Sequence, residues 1–206
     1  MHVLGIVGGV ASGKSVVAGE FARLGAQVLD ADQAGHEVLR EPEVIAALVE
    51  RWGKRILLSD GQIHRSAVAQ IVFAENGEAE KRFLEQITHP RIAARLTQQF
   101  EKTRKAAECQ VVILDAALLF EAGWNQLCEA TIFVDAPRET RLARAATRGW
   151  SAEQFAAREA QQLPLDQKRT RCRWVVSNGP GDDVAGQVAA IWKELCGSSG
   201  QGKTEK

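Results

Sequence analysis

Gly8-Gly9-Val10-Ala11-Ser12-Gly13-Lys14-Ser15 carries the most specific pattern in the chain. An apolar run, Val3-Leu4-Gly5-Ile6-Val7, precedes it, and Val16-Val17-Ala18-Gly19-Glu20-Phe21-Ala22-Arg23-Leu24 follows. That is strand, glycine loop and helix, with the spacing G-x-x-x-x-G-K-[ST] of a phosphate-binding P-loop. Glycines let the backbone curl so that several N–H groups point at one anion, and the helix that follows turns its positive dipole end to the same place. Lys14 adds a full charge at the β and γ phosphates, and the Ser15 hydroxyl is a ligand for Mg²⁺. The stretch therefore reads as the binding site of a nucleoside triphosphate.

Beyond the loop, Val16, Val17, Phe21 and Leu24 recur at helical spacing, and Gly25 is a natural stop. Ala26-Gln27-Val28-Leu29 reads as a short buried strand that ends in Asp30-Ala31-Asp32. A strand–loop–helix–strand unit of this length predicts a parallel sheet, whose ligands lie at the carboxyl ends of the strands. Asp30 and Asp32 leave the second strand at that end, on the side of the loop. Paired aspartates are also common turn and cap residues; beside a phosphate loop they become site candidates.

From about residue 35 to 107 strand-like runs give way to helical periodicity, apart from a brief Ile56-Leu57-Leu58 before the turn Ser59-Asp60-Gly61. Such a segment exceeds what a simple crossover needs and reads as an inserted helical subdomain where an acceptor docks. Within it Arg65 is either an anion partner or a solvated surface arginine. His89-Pro90 is expected to interrupt a helix, and His36 has no special context.

The sheet resumes with Val111-Val112-Ile113-Leu114-Asp115, whose closing acid is placed to orient Mg²⁺ directly or through water. Glu121, in the run leading out of that strand, reads equally as an acceptor contact or a cap. A fourth strand, Thr131 to Val134, ends at Asp135-Ala136-Pro137, and the proline opens a helix bearing Arg138, Arg141, Arg144 and Arg148. The last three fall within about 60° of one another, forming the main cationic stripe of the chain. Gly149 then turns the chain into a second helix with Ser151 as its N-cap. Helix, glycine turn and helix after the fourth strand suggest a lid whose arginines close on the transferring phosphoryl group and exclude water. A fifth strand, Trp174-Val175-Val176, leads to a turn in which Asn178 is placed to face the nucleotide base. Val184, Val188, Ile191, Trp192 and Leu195 mark a final core helix, and Gly197 to Lys206 reads as a disordered tail.

Composition excludes several classes. At 206 residues the chain can bury a sizeable core as one domain, and 26 basic residues balance 26 acidic ones. No global field recruits nucleic acid or an acidic membrane, and no run approaches a membrane span. Cys109, Cys128, Cys172 and Cys196 show neither C-x-x-C nor zinc spacing. The reading is of reduced thiols in a cytoplasmic enzyme.

Together these pieces resemble the dephospho-coenzyme A kinase family. The resemblance runs through the Gly8–Ser15 loop, Asp30-Ala31-Asp32, Arg65 with Phe73, His89-Pro90 and Leu118-Leu119-Phe120-Glu121. It continues with Arg144 and Arg148, then Arg158, Gln162-Leu163-Pro164-Leu165, Lys168 and Asn178-Gly179. It implies an α/β P-loop NTPase fold: a five-stranded parallel sheet flanked by helices. The expected core spans about residues 1–34, 108–136 and 170–196, with a helical acceptor-binding insertion at about 35–107 and a lid at about 137–169. It also implies transfer from ATP with Mg²⁺ to the ribose 3′-hydroxyl of dephospho-CoA. Asp32 would orient that hydroxyl and take its proton late. Lys14 and the Gly9–Ser15 backbone would hold the β and γ phosphates. Ser15 would bind Mg²⁺, with Asp30 or Asp115 ordering its waters. Arg144 and Arg148 would meet the developing charge, while Arg65, His89 and Glu121 would hold or shape the acceptor site. Three positions depart from the family pattern: Val16 replaces a threonine, Ala117 a proline, and Cys172-Arg173 an Ala-Asp pair. Val16 lacks a hydroxyl that in relatives reaches the α-phosphate, so weaker donor affinity is expected.

Two rivals are weighed. Another P-loop small-molecule or nucleoside monophosphate kinase fits the loop but not the helical insertion with Asp-Ala-Asp. A switch GTPase fits Asp32-Gln33-Ala34-Gly35 by its D-x-x-G letters, yet the chain has no N-K-x-D.

Overall fold

A computed structural model describes residues 1–106 and 110–197; Cys109 and the expected tail from 198 onward lie outside the described residues. The strands are β1 (His2–Gly8), β2 (Gln27–Asp30), β3 (Val111–Asp115), β4 (Ala130–Asp135) and β5 (Trp174–Ser177). They form a five-stranded, all-parallel sheet in the order β2-β3-β1-β4-β5. The apolar run at the N-terminus is thus the central strand, and its residues Leu4, Ile6 and Val7 are fully buried. Gly5 is required there by close packing: a Cβ would lie 2.5 Å from the Leu119 side chain and 3.1 Å from the Cys128 sulfur.

Alternate residues point to opposite faces. Leu4, Ile6, Val111, Ile113, Ile132, Val134 and Val176 share a core with α1 (Lys14–Arg23) and α9 (Val184–Gly197), into which Phe21, Val188, Ile191 and Leu195 project. The intervening Val112, Leu114 and Phe133 are also buried, so both faces are covered. The remaining helices of this part are α6 (Arg138–Thr147), α7 (Ala152–Glu159) and α8 (Leu165–Thr170), with α8 packed against β1. Ser151 caps α7 through a capping box, accepting from the Gln154 amide while Gln154 accepts from its own.

Two local expectations change. In α1 the buried face is Val17, Ala18 and Phe21, while Val16 is 50% and Leu24 39% exposed. β2 is not a buried strand; the sheet order leaves it at an edge, and Leu29 alone of its residues is buried.

The chain divides into two compact units, residues 1–30 with 99 onward, and Ala31–Gln98. The second holds α2 (Ala31–Val38), α3 (Pro42–Trp52), α4 (Arg65–Val72) and most of α5 (Glu78–Ala106). Val38, Val44, Leu48, Trp52, Ile56, Val68, Val72, Ile92 and Leu96 are among its buried apolar side chains. Trp52 meets Phe83 edge-on at 5.7 Å and donates its indole N–H to Glu80, whose carboxylate also takes a two-pronged contact from Arg51. The Ile56-Leu57-Leu58 run is no strand: Lys54–Ile56 is a 3₁₀ turn, and a single antiparallel bridge joins Leu57 to Ile63.

His89-Pro90 does not interrupt the helix either. α5 runs unbroken through Pro90. A mid-helix proline removes one N–H and crowds the preceding turn. Side chains supplement the carbonyls around it: Thr88 donates its hydroxyl to the Leu84 carbonyl and Arg91 its guanidinium to that of Ile87. Among the described residues no helix is long and apolar enough to cross a membrane.

Candidate active site

The strand order reverses at β1, with β3 on one side and β4 on the other, which opens a crevice at the carboxyl end of β1. The Gly8–Ser15 loop occupies it. Two consecutive kinks shape the curl: Ala11 has φ +57°, the one non-glycine in left-handed backbone among the described residues, and Gly13 has φ +87°. Helix α1 starts directly at Lys14 with no side-chain cap and no acidic residue in its first turn. The amides of Ala11, Gly13, Lys14 and Ser15 have no backbone acceptor among the described residues. Ser12 is fully buried, and its hydroxyl oxygen has no protein partner. Donors without acceptors at a helix N-terminus form an anion cradle.

The loop is braced from behind. Arg141 is 4% exposed and donates to the Ala136 and Val10 carbonyls and to Glu159 at 2.6 Å. Arg144 donates to the Ser12 carbonyl at 3.0 Å and to the Asn178 carbonyl at 2.9 Å. The buried Asn178 amide donates to the Ser12 carbonyl at 2.8 Å, where a Cβ on Gly13 would collide with it. Its side-chain amide is thus directed to the loop backbone. Phe155 of α7, fully buried, packs with Val10, Ala11 and Ala145. Further out, Arg158 lies 4.2 Å over the Trp150 ring, clasping α7 to the turn before it. The arginine stripe is therefore graded: Arg141 is buried, Arg144 half-buried, and Arg148, at the C-cap of α6, exposed.

Asp30 and Asp115 are register partners at the ends of β2 and β3, and Asp115 is also opposite Ile6 of β1. Two acids thus close neighbouring strands beside the loop. No group of three or more His, Cys, Asp or Glu suited to a metal occurs among the described residues. A divalent cation here would lean on Ser15, these acids and the phosphates themselves.

A buried ion pair, missed as a pair in the sequence, adjoins the loop. Lys168 of α8 is 0% exposed and all three of its protons are engaged: by Glu121 at 2.8 Å, Gln162 at 3.2 Å and the Ala117 carbonyl at 3.4 Å. Burial pulls its pKa down, the Glu121 contact pushes it up, and Lys14 lowers it further. Glu121 also accepts from the Leu163 amide at 2.8 Å, while its second oxygen is buried without a partner. A cavity of about 460 Å³ lies between Gly9-Val10 and the segment Glu159–Leu165. Cys128 and Cys172 are outside this chemistry; burial raises both thiols, Cys128 to about 12.

The other predicted residues belong to the helical unit. Asp32 is exposed in the first turn of α2, which begins one residue after β2 ends. Arg65 is the exposed first residue of α4, and His89 is half-buried in α5, where burial lowers its pKa.

The family model for dephospho-CoA kinase matches residues 2–183. The chain belongs to the dephospho-CoA kinase family. A dephospho-CoA kinase from Geobacter metallireducens is 42% identical over 197 residues, covering 94% of this chain and 96% of that one. A Thermus thermophilus crystal structure aligns with TM-score 0.81 and 31% identity over 94% of this chain and 97% of that one. A dephospho-CoA kinase from Campylobacter jejuni, at 24% identity, shares the fold with TM-score 0.71 over 96% of this chain and 98% of that one. The family signatures, Val16, Ala117 and Cys172-Arg173 aside, therefore sit on the expected α/β P-loop fold.

Proposed function

We propose that the chain transfers the γ-phosphoryl group of ATP to the ribose 3′-hydroxyl of dephospho-CoA, giving coenzyme A and ADP in the cytoplasm. Family membership over residues 2–183 carries the reading, and the unsatisfied amides of the loop support the donor half.

Phosphoryl transfer needs positioning and charge neutralisation more than covalent chemistry. The Gly9–Ser15 amides and Lys14 would hold the β and γ phosphates. Arg141, Arg144 and Asn178 keep those amides convergent before ATP arrives, so little reorganisation is needed. Ser15 would hold Mg²⁺, with Asp30 or Asp115 ordering its waters; the ion, when bound, neutralises phosphate charge. Asp32 would accept a hydrogen bond from the acceptor hydroxyl, align it and take its proton late. Arg144, which keeps donors beyond those bound to the loop, and the exposed Arg148 would meet the developing charge. The unpartnered oxygen of Glu121 suits a donor group on the acceptor. Val16, exposed beside Ser15, offers the donor an apolar surface and no hydroxyl. The segment at about 137–169 would close as a lid and exclude water.

A coupled ADP-release assay tests this with dephospho-CoA, AMP, CMP and shikimate as acceptors. Dephospho-CoA should give the highest kcat/KM; faster turnover of any other acceptor overturns the reading. Strong preference for GTP over ATP in a binding titration would revive the switch alternative.

A further inference from the structure

We propose that His36, Arg40 and Arg65 form a subsite for the 5′-diphosphate of the acceptor, in a pocket on the helix that carries Asp32. The inference rests on the dephospho-CoA kinase reading above and adds to it two residues that no motif marks.

The pocket lies wholly within the helical unit. Its polar lining is Gln33, His36, Arg40, Gln62 and Arg65, and no carboxylate lines it. Its volume of about 120 Å³ is well below the ~300 Å³ at which whole-ligand sites begin, so it suits one group of a ligand. Guanidinium forks match phosphate oxygens in pairs, and glutamine amides add neutral donors.

The charges on this pocket differ from those of most arginines of the unit. Arg51, Arg82, Arg91 and Arg95 each pair with a carboxylate of the same unit. The side chains of Arg40 and Arg65 form no ion pair or hydrogen bond among the described residues. The carboxylate that Arg40 feels is Glu37, and Glu37 is held by Arg95 and Gln33, which keep its pKa below the usual range. Two exposed guanidiniums therefore converge on one concavity with their charge unneutralised.

Placement along α2 supplies the scale. Gln33 follows Asp32 directly, and His36 lies four residues on, on the same helical face. One turn advances the chain about 5.4 Å. In a nucleotide the 3′-hydroxyl and the 5′-phosphate are separated by one furanose ring, a comparable span. An acceptor whose 3′-hydroxyl meets Asp32 can thus lay its diphosphate against His36, Arg40 and Arg65. Such a subsite selects acceptors with a 5′-phosphate over bare nucleosides.

Steady-state kinetics of Arg40→Ala, His36→Gln and Arg40→Ala/Arg65→Ala provide the test, with dephospho-CoA and adenosine as acceptors. Each lost arginine contact should raise KM for dephospho-CoA roughly tenfold or more, as expected for a charge-assisted hydrogen bond. KM for ATP and the weak turnover of adenosine should stay within twofold, and Arg40→Lys should fall between wild type and Arg40→Ala. In a binding titration without ATP, the salt dependence of dephospho-CoA affinity should flatten in the double variant. A KM shift under twofold in the double variant overturns the subsite, as does an equal loss with adenosine. If the wild type turns over another acceptor in preference to dephospho-CoA, the functional reading fails and the subsite with it. If it prefers dephospho-CoA and the variants are silent, the subsite alone fails. Circular dichroism on each variant separates loss of fold from loss of contact.

Discussion

Around the phosphate loop, most polar side chains behind the anion site are already bonded to the protein. Arg141 holds Val10, Arg144 and Asn178 hold Ser12, and Lys168 is closed on Glu121, Gln162 and Ala117. In the α2 pocket the reverse holds: the side chains of Arg40 and Arg65 are exposed and form no ion pair among the described residues, in a pocket whose lining has no carboxylate. The first region presents backbone amides fixed in advance, whose cost of ordering was met on folding. The second presents long side chains whose order comes only with a ligand. Loop variants should therefore damage shape, and pocket variants should damage affinity.

The strongest challenge to that contrast is Asp32→Asn, because it asks whether the helical unit takes part in chemistry at all. A folded variant should lose about 10²–10⁴-fold in kcat. A loss under about tenfold in single-turnover measurements would reduce α2 to a binding surface.

Next in size is the buried pair. Glu121→Ala leaves Lys168 enclosed and uncompensated and should cost about 3–5 kcal/mol in urea unfolding. Glu121→Gln/Lys168→Met should recover much of that loss. If the double variant is as unstable as Glu121→Ala, charge compensation is not what this pair provides.

A finer probe is Asn178→Ala, which leaves the Ser12 carbonyl to Arg144 alone without touching a phosphate donor. About 1–3 kcal/mol should disappear, read as weaker ATP binding with KM for the acceptor unchanged. An effect on the acceptor instead would contradict the bracing role.

The smallest effect belongs to the half-buried Glu80 in the helical unit. Arg51 and Trp52 lower its pKa from 4.5 to about 2. A depressed carboxylate stabilises the fold above its unfolded value and loses that contribution as pH falls toward the folded one. The stability difference between wild type and Glu80→Gln should therefore shrink between pH 4.5 and about 2 in thermal melts. A constant difference across that window would remove the pairing from the stability of α3 and α5.

What was legible in the sequence was what is local. The Gly8–Ser15 loop, the strand-end acids and the Ser151 cap are each specified within a few residues, so pattern and physics coincide. The bond from Asn178 to Ser12 was not legible, because Ser12 lies far away in the chain and nothing near Asn178 announces it. Arg141 could be placed on a stripe by spacing, but only packing against Phe155 and Val10 says which end of the stripe is buried. Pro90 read as a break because local propensity was set against tertiary support, and tertiary support prevailed. His36 and Arg40 were invisible as a site until the Leu57–Ile63 turn brought Gln62 and Arg65 alongside them.

The Arg158–Trp150 clasp carries a consequence for observing the enzyme at work. A guanidinium stacked on an indole alters its emission, so α7 sits beside a built-in fluorescent gauge. With Trp52, Trp124, Trp174 and Trp192 replaced by phenylalanine, a single unlabelled chromophore would report opening and closing in real time, on the same stopped-flow trace that follows nucleotide addition.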